Sequence, residues 1–279
     1  MAWNLFKTLG KNEPSLSNDN SHLSPYAQER YVRDPSSCYF YHTMDLPEFG
    51  LQDGGWDLRG RFDDYVGGVD FSNKRVLDVG AASGFLSFEA ERSGASEVVS
   101  FDLDSADRQS LLPFAGSSYV TDREAWVRMQ TDSFLTWQNS YWLAHRLLGS
   151  KAKAVYGDVY RLPPSIGEFD VIILGAILEH LIDPLSAMYS ISKHAKDIIV
   201  INTDYFDVPD MLARFNGRHD RPDNSFVFWV YSIPLYDEYM RIMGFERLAA
   251  RKNKFLGMRS PTGERPELDR VALVYQKRT

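Results

Sequence analysis

The heptad Asp78-Val-Gly-Ala-Ala-Ser-Gly84 follows the apolar run Arg75-Val-Leu77 and leads into a helix-like stretch from Phe85. An apolar segment that stops on an acid and passes through glycines into a helix is a strand-turn-helix unit, and few folds are built on one. Eighteen residues beyond Gly84, Val98-Val-Ser-Phe-Asp102 ends a second strand-like run on another acid, the spacing of a carboxylate that hydrogen-bonds ribose hydroxyls. The pair predicts a nucleoside cofactor on a Rossmann-like sheet.

Apolar runs and helical stretches then alternate, which argues for an α/β fold with a mostly parallel sheet covered on both faces. Strands are expected over 74–79, 97–102, 152–157, 169–174 and 196–202, with helices over 84–93, 184–193 and 234–243. Two last strands, 246–251 and 270–276, would close a seven-stranded sheet as an antiparallel hairpin. A polar tail over residues 1–25 is expected to be mobile, and the aromatic, turn-rich segment 26–70 to form an N-terminal cap. The sheet domain, 71–279, then carries insertions at about 105–140 and 203–231, long enough to serve as lids or binding loops. Residues 123–148 in the first insertion read as helical; their aromatics suit either core packing or a lid over substrate.

The chain has 279 residues, a net charge of −7 and a pI near 5.4, and an acidic surface disfavours a long nucleic-acid backbone as partner. No apolar run is long enough for a membrane span and the start lacks a secretory pattern, so a cytoplasmic enzyme is expected. The single cysteine, Cys38, permits no internal disulfide, and no Cys or His cluster has metal-ligand spacing. His22, His145 and His194 read as surface residues.

The order acid-x-Gly-x-x-x-Gly differs from the G-x-G-x-x-G of pyrophosphate-binding turns. It resembles motif I of class I S-adenosyl-L-methionine (SAM) methyltransferases. That resemblance implies cofactor contacts from Asp78, Gly80, Ala81, Ser83, Gly84 and Phe85, with Asp78 helping to hold the ammonium group of SAM. It also implies ribose contacts from Asp102 beside Leu103, and an adenine contact from Asp158 with Val159 packing on the ring. After Gly175, a further expected cofactor contact, the stretch Leu178-Glu-His-Leu-Ile-Asp-Pro184 resembles the L-E-H-L-x-D-P signature of small-molecule methyltransferases. Glu179 or His180 could accept a proton from a hydroxyl acceptor, or both could shape the pocket floor. An Asn-Pro-Pro-Tyr/Phe motif, the mark of amino-group methylation of DNA bases or glutamine, does not stand in this place, which favours an oxygen acceptor.

Tyr41 to Pro47, Gly54 to Arg59, Asn224 to Trp229 and Ser232-Ile-Pro-Leu extend the likeness to the subfamily that includes the bacterial tRNA wobble-uridine carboxymethyltransferase. In that subfamily a lysine and a tyrosine grip the extra carboxylate of carboxy-SAM; their places here hold Gly55 and Glu179. An acid at the second place would repel a carboxylated donor, so ordinary SAM is expected. His42, Trp56 and Arg59 are expected to roof the methionine end of the cofactor. Acceptor contacts are expected from His42 and from Arg214, Asn216, His219, Asn224, Trp229 and Tyr231, a mixture suited to a sugar or other small polyhydroxylated molecule. The expected activity is O-methylation of a small molecule or glycan; an RNA-modifying enzyme and a SAM-binding module without catalysis are the alternatives.

Overall fold

The computed structural model describes residues 24–222, 226–258 and 262–278. Almost all of the expected tail, together with His22 and Asn224, lies outside the described residues. Strands β1 (Arg75–Val79), β2 (Glu97–Leu103), β3 (Lys153–Gly157), β4 (Phe169–Gly175), β5 (Ala195–Thr203), β6 (Phe245–Leu256) and β7 (Glu267–Lys277) form one sheet in the order β6-β7-β5-β4-β1-β2-β3. The five strands β5-β4-β1-β2-β3 run parallel, and β7 pairs antiparallel with both β5 and β6. This is the expected Rossmann-like sheet with its closing hairpin.

Strands buried on both faces need no polar alternation, which is why β1, β4 and β5 read as continuous apolar runs. Helices α3 (Pro184–Ser192) and α4 (Ile233–Ile242) cover one face, packing Ala187, Met188, Ile191, Tyr236 and Met240 on Leu77, Ile172 and Ile199. Helices α1 (Phe85–Arg92) and α2 (Arg123–Leu148) cover the other with the N-terminal segment, whose Phe40, Met44, Leu58 and Phe62 join Val76 and Ile173. Helix α2 is capped at its start by Asp122, which accepts from Ala125 N at 2.9 Å, and ends at left-handed Gly149. No helix among the described residues is long and apolar enough to cross a membrane.

The closing hairpin is longer than expected, because β6 beyond Arg251 is carried by exposed charged side chains that leave no apolar pattern to read. His145 and His194 are also corrected: both are buried. Their rings bond the carbonyls of Ala152 and Gly167, at 3.0 and 2.7 Å, which satisfies polar groups that would otherwise need water.

The insertion expected over 203–231 folds into a small sheet. Its central strand, Trp229–Ser232, lies between Tyr205–Phe206 (parallel) and Ala213–Phe215 (antiparallel).

Candidate active site

The turn after β1 is held against β2: Gly80 N and Ala81 N both donate to Phe101 O, at 2.8 and 3.2 Å. Gly80 and Gly84 have φ of +79° and +87°, a region open chiefly to glycine, and a Cβ on Gly84 would strike Phe88 and Tyr141. Ala82 also sits in the left-handed region, at φ 49°. Such strain persists where surrounding structure enforces it, often at ligand sites. Asp78 is fully buried beneath the turn; its Oδ2 accepts from Ser87 Oγ at 2.7 Å, whereas Oδ1 has no partner. Burial, aided by the nearby Asp102 charge, pushes this carboxyl up to about 7. A buried acceptor left unpaired fits a cationic group arriving with a ligand.

Asp102 closes the turn from β2, accepting from Ala82 N at 2.6 Å and Leu103 N at 2.7 Å. Desolvation raises its carboxyl despite these bonds. Beside it lies a cavity of about 20 Å³ walled by Ala82, Leu103, Phe134, Trp137, Gln138 and Tyr156, room for a water molecule. Helix α2 therefore serves two ends: Trp142 and Leu143 are core, while Phe134, Trp137 and the buried Tyr141 line this cavity. After β3, Asp158 caps its own turn by accepting from Tyr160 N at 2.9 Å, and its other oxygen lies 3.3 Å from Arg108 Nη1. Val159 beside it is buried.

The turn after β4 begins with Gly175, where a Cβ would lie 2.4 Å from Leu86 Cδ1, and left-handed Ala176, whose N–H donates to Asn202 O on β5. One 3₁₀ turn, Leu178–His180, then places two side chains in different surroundings. Glu179 is buried: its Oε1 accepts from Arg270 Nη2 at 2.6 Å and its Oε2 from Thr203 Oγ1 at 3.3 Å. Burial alone would raise this carboxyl, yet the Arg270 guanidinium overcomes that and holds it below the usual range. Arg270 thereby compensates the charge of the acid at this place. His180 is half-buried, and its Nδ1 lies 2.8 Å from Phe226 O. A carbonyl oxygen only accepts, so Nδ1 carries the proton and a neutral ring presents Nε2 as an acceptor.

Arg270, on β7, is a site residue that sequence reasoning missed. It is 3% exposed and also bonds Asn202 Oδ1 and Asp204 Oδ1, with its guanidinium 5.6 Å from the centre of the Trp56 ring. No motif marks it; only the pairing of Val271 with Thr203 brings it beside the β4 turn.

Of the expected roof, His42 lies over the turn, donating its backbone N–H to Ser83 Oγ at 3.1 Å with its ring 5.6 Å from Phe85. Trp56 pairs with His42 through a β-bridge. Arg59 instead turns to two carboxylates, Asp45 and Asp57, at 2.8 and 2.9 Å.

The small sheet of the insertion borders His180. Phe228 N donates to Glu179 O, Trp229 Nε1 donates to Ile182 O at 3.0 Å, and Phe215 packs on Trp229 at 5.1 Å. Ile182, Leu212, Phe215 and Phe226 each leave about half of their surface exposed here. Tyr231 is buried, His219 is exposed, and the Arg214 guanidinium stacks 4.2 Å from the Phe206 ring. Asn216 serves the sheet through its backbone N–H, which donates to Phe228 O.

A family model described as "Methyltransferase domain" matches residues 59–250, more than half of the chain. Solved structures with a similar fold include the 1,6-didemethyltoxoflavin-N1-methyltransferase of Burkholderia thailandensis (17% identity, 75% of this chain and 72% of that one, TM-score 0.43). TehB of Haemophilus influenzae is also similar (14% identity, 74% and 58%, TM-score 0.47). So is the magnesium protoporphyrin IX methyltransferase of Synechocystis PCC 6803 with bound S-adenosylhomocysteine (13% identity, 75% and 76%, TM-score 0.44). No curated protein matches the chain significantly.

Proposed function

The chain belongs to the methyltransferase-domain family and is a SAM-dependent methyltransferase, and from that premise we propose that it methylates a hydroxyl oxygen of a small-molecule or glycan acceptor, with His180 as the base. The observation that carries this reading is the Nδ1–H to Phe226 O bond, which fixes the ring so that Nε2 is free to take a proton. Glu179 is a weaker candidate, because both of its oxygens are engaged by Arg270 and Thr203. Its role is to hold the turn on which His180 stands.

Bound SAM supplies an activated sulfonium methyl. The residues of the chain then have three tasks. Asp102, at the end of β2, would take the ribose hydroxyls. Ile182, Phe215, Phe226 and Trp229 offer apolar and aromatic surface on which a ring can lie. His180 Nε2 accepts the hydroxyl proton as the oxygen attacks. Orientation of the two reactants supplies much of the barrier reduction, and the base on the order of 10²–10⁴ in rate.

The charge of the insertion supports a neutral acceptor over a polyanion: residues 203–231 hold five aspartates and three arginines. Incubating the enzyme with methyl-labelled SAM and fractionated cell extract, then locating the label, tests the acceptor class; label in RNA alone would refute it. On the acceptor so found, His180→Gln is expected to lower kcat on the order of 10²-fold or more and leave the S-adenosylhomocysteine Kd unchanged by calorimetry. An unchanged kcat would remove His180 as base. Asp102→Ala is expected to weaken S-adenosylhomocysteine at least about tenfold, about 1.4 kcal/mol, and unaltered affinity would overturn its ribose role.

A further inference from the structure

Asp204 is the first residue past β5, where the insertion leaves the sheet, and it is the open member of a buried ion cluster. Arg270 and Glu179 are 3% and 4% exposed, whereas the Asp204 side chain leaves 43% of its surface accessible. Its Oδ1 accepts from Arg270 Nη1 at 2.8 Å, and its Oδ2 takes no bond from any described residue. A carboxylate held by one oxygen and open at the other is fixed in direction and still able to accept.

The same guanidinium sets where the open oxygen stands. It also donates to Glu179 Oε1 at 2.6 Å and, through Nε, to Asn202 Oδ1 at 2.9 Å, so it cannot turn without breaking several bonds. Glu179 immediately precedes His180, and Asn202 pairs with Gly175, where the β4 turn begins. Asp204 and His180 therefore follow the ends of adjacent strands, at the edge of the sheet where ligands bind in such folds. Burial raises the Asp204 carboxyl even though Arg270 pulls it down, and a proton on His180 pulls it down as well, so the imidazole stands within electrostatic reach.

Glu179 and Asp204 share one guanidinium, which leaves one negative charge in excess. Arg214 also acts on Asp204 and offsets that excess, so the open oxygen calls for a neutral hydrogen-bond donor more than for a second cation. We propose that Asp204 anchors a second hydroxyl of the acceptor and that the acceptor is a sugar. Its ring lies on the apolar surface of Ile182, Phe215, Phe226 and Trp229, with one hydroxyl at His180 and another at Asp204. The proposal rests on the hydroxyl-methylation reading and narrows it to an acceptor with an apolar ring face and several hydroxyls, the pairing that a mostly apolar site with a few placed polar groups selects. A hydroxyl bond to an ionised carboxylate is short and strong, and a site built around one rejects analogues that lack the hydroxyl.

Labelled SAM and the RNA-free polar fraction of cell extract test the anchor in two ways. Periodate oxidation followed by borohydride reduction cleaves vicinal diols, which sugars carry and simple alcohols and phenols lack, so the treated fraction should no longer accept label. With the untreated fraction, Asp204→Ala should raise the amount needed for half-maximal rate at least about tenfold, lower kcat by less than that, and leave the S-adenosylhomocysteine Kd as in wild type. Asp204→Asn, which keeps an accepting oxygen, should recover part of the loss. Undiminished labelling of the oxidised fraction, an unchanged half-saturation in Asp204→Ala, or a loss confined to kcat would overturn the anchor. No transfer at all, label in RNA alone, or a His180→Gln protein as active as wild type would instead remove the reading on which the anchor rests.

Discussion

His42 and Asp78 titrate in opposite directions, and their linkage to stability differs in sign. His42 is lowered from 6.5 to about 3 by burial, so its contribution is present above pH 6.5 and is lost as pH falls toward 3. Asp78 is raised from 3.8 to about 7, chiefly by burial, so its contribution is present below pH 3.8 and is lost as pH rises through about 7. Between about pH 4 and 6.5 the two slopes, each about 1.4 kcal/mol per pH unit, oppose one another. Melting curves of the unliganded wild type conceal both; single variants expose them. Relative to wild type, His42→Phe should gain stability as pH falls from 6.5 to 4, and Asp78→Asn should gain it as pH rises from 4 to 7. Parallel curves for the variants and wild type would refute the assignment. Both residues stand in segments the sequence points to, the turn and the stretch Tyr41 to Pro47, but the lack of a partner at His42 Nδ1 and Asp78 Oδ1 is a property of packing that residue order does not carry. The same holds for His145 and His194, which read as surface residues until their carbonyl partners are seen.

At the scale of elements, the ion pair of Glu179 with Arg270 ties the turn after β4 to the closing hairpin. Removing one member of a buried pair strands the other, so Arg270→Met should cost about 3–5 kcal/mol in urea unfolding, with Glu179→Gln added to it restoring part of the loss. A loss under about 1 kcal/mol, the scale of exposed pairs, would show that water reaches the pair. The five parallel strands were legible because burial on both faces forces an uninterrupted apolar run, and α2 because Asp122 and Gly149 mark its two ends. The far half of the hairpin was not, since Lys252, Asn253 and Lys254 face solvent or the N-terminal segment and obey no simple alternation. Arg270 was illegible for a different reason: its meaning comes from a strand pairing across 66 to 91 residues of chain.

Across the whole molecule the two insertions touch. A Cβ added to Gly217 would lie 2.6 Å from Leu112 Cδ1, so the segment after β2 reaches the loop that follows the edge strand Ala213–Phe215. The turn proposed for the cofactor lies on the sheet, whereas the proposed acceptor surface is carried by the insertion, and the two functions should therefore separate. Replacing residues 208–222 with a short Gly-Ser linker should leave S-adenosylhomocysteine affinity within about threefold of wild type, less than 1 kcal/mol, while transfer to the acceptor is lost. Loss of both together would show that the insertion also forms the donor site.

Arg270 comes 91 residues after the carboxylate it neutralises. During synthesis β1 to β5 can emerge and pair while Glu179 still lacks its counter-charge, which arrives when the hairpin folds back against β5. Arg270 thus reaches the turn after the strands that frame it. A nascent chain halted before Arg270 keeps the contacts of Thr203, Phe226 and Phe228 with this turn, yet buries the Glu179 carboxylate without its guanidinium.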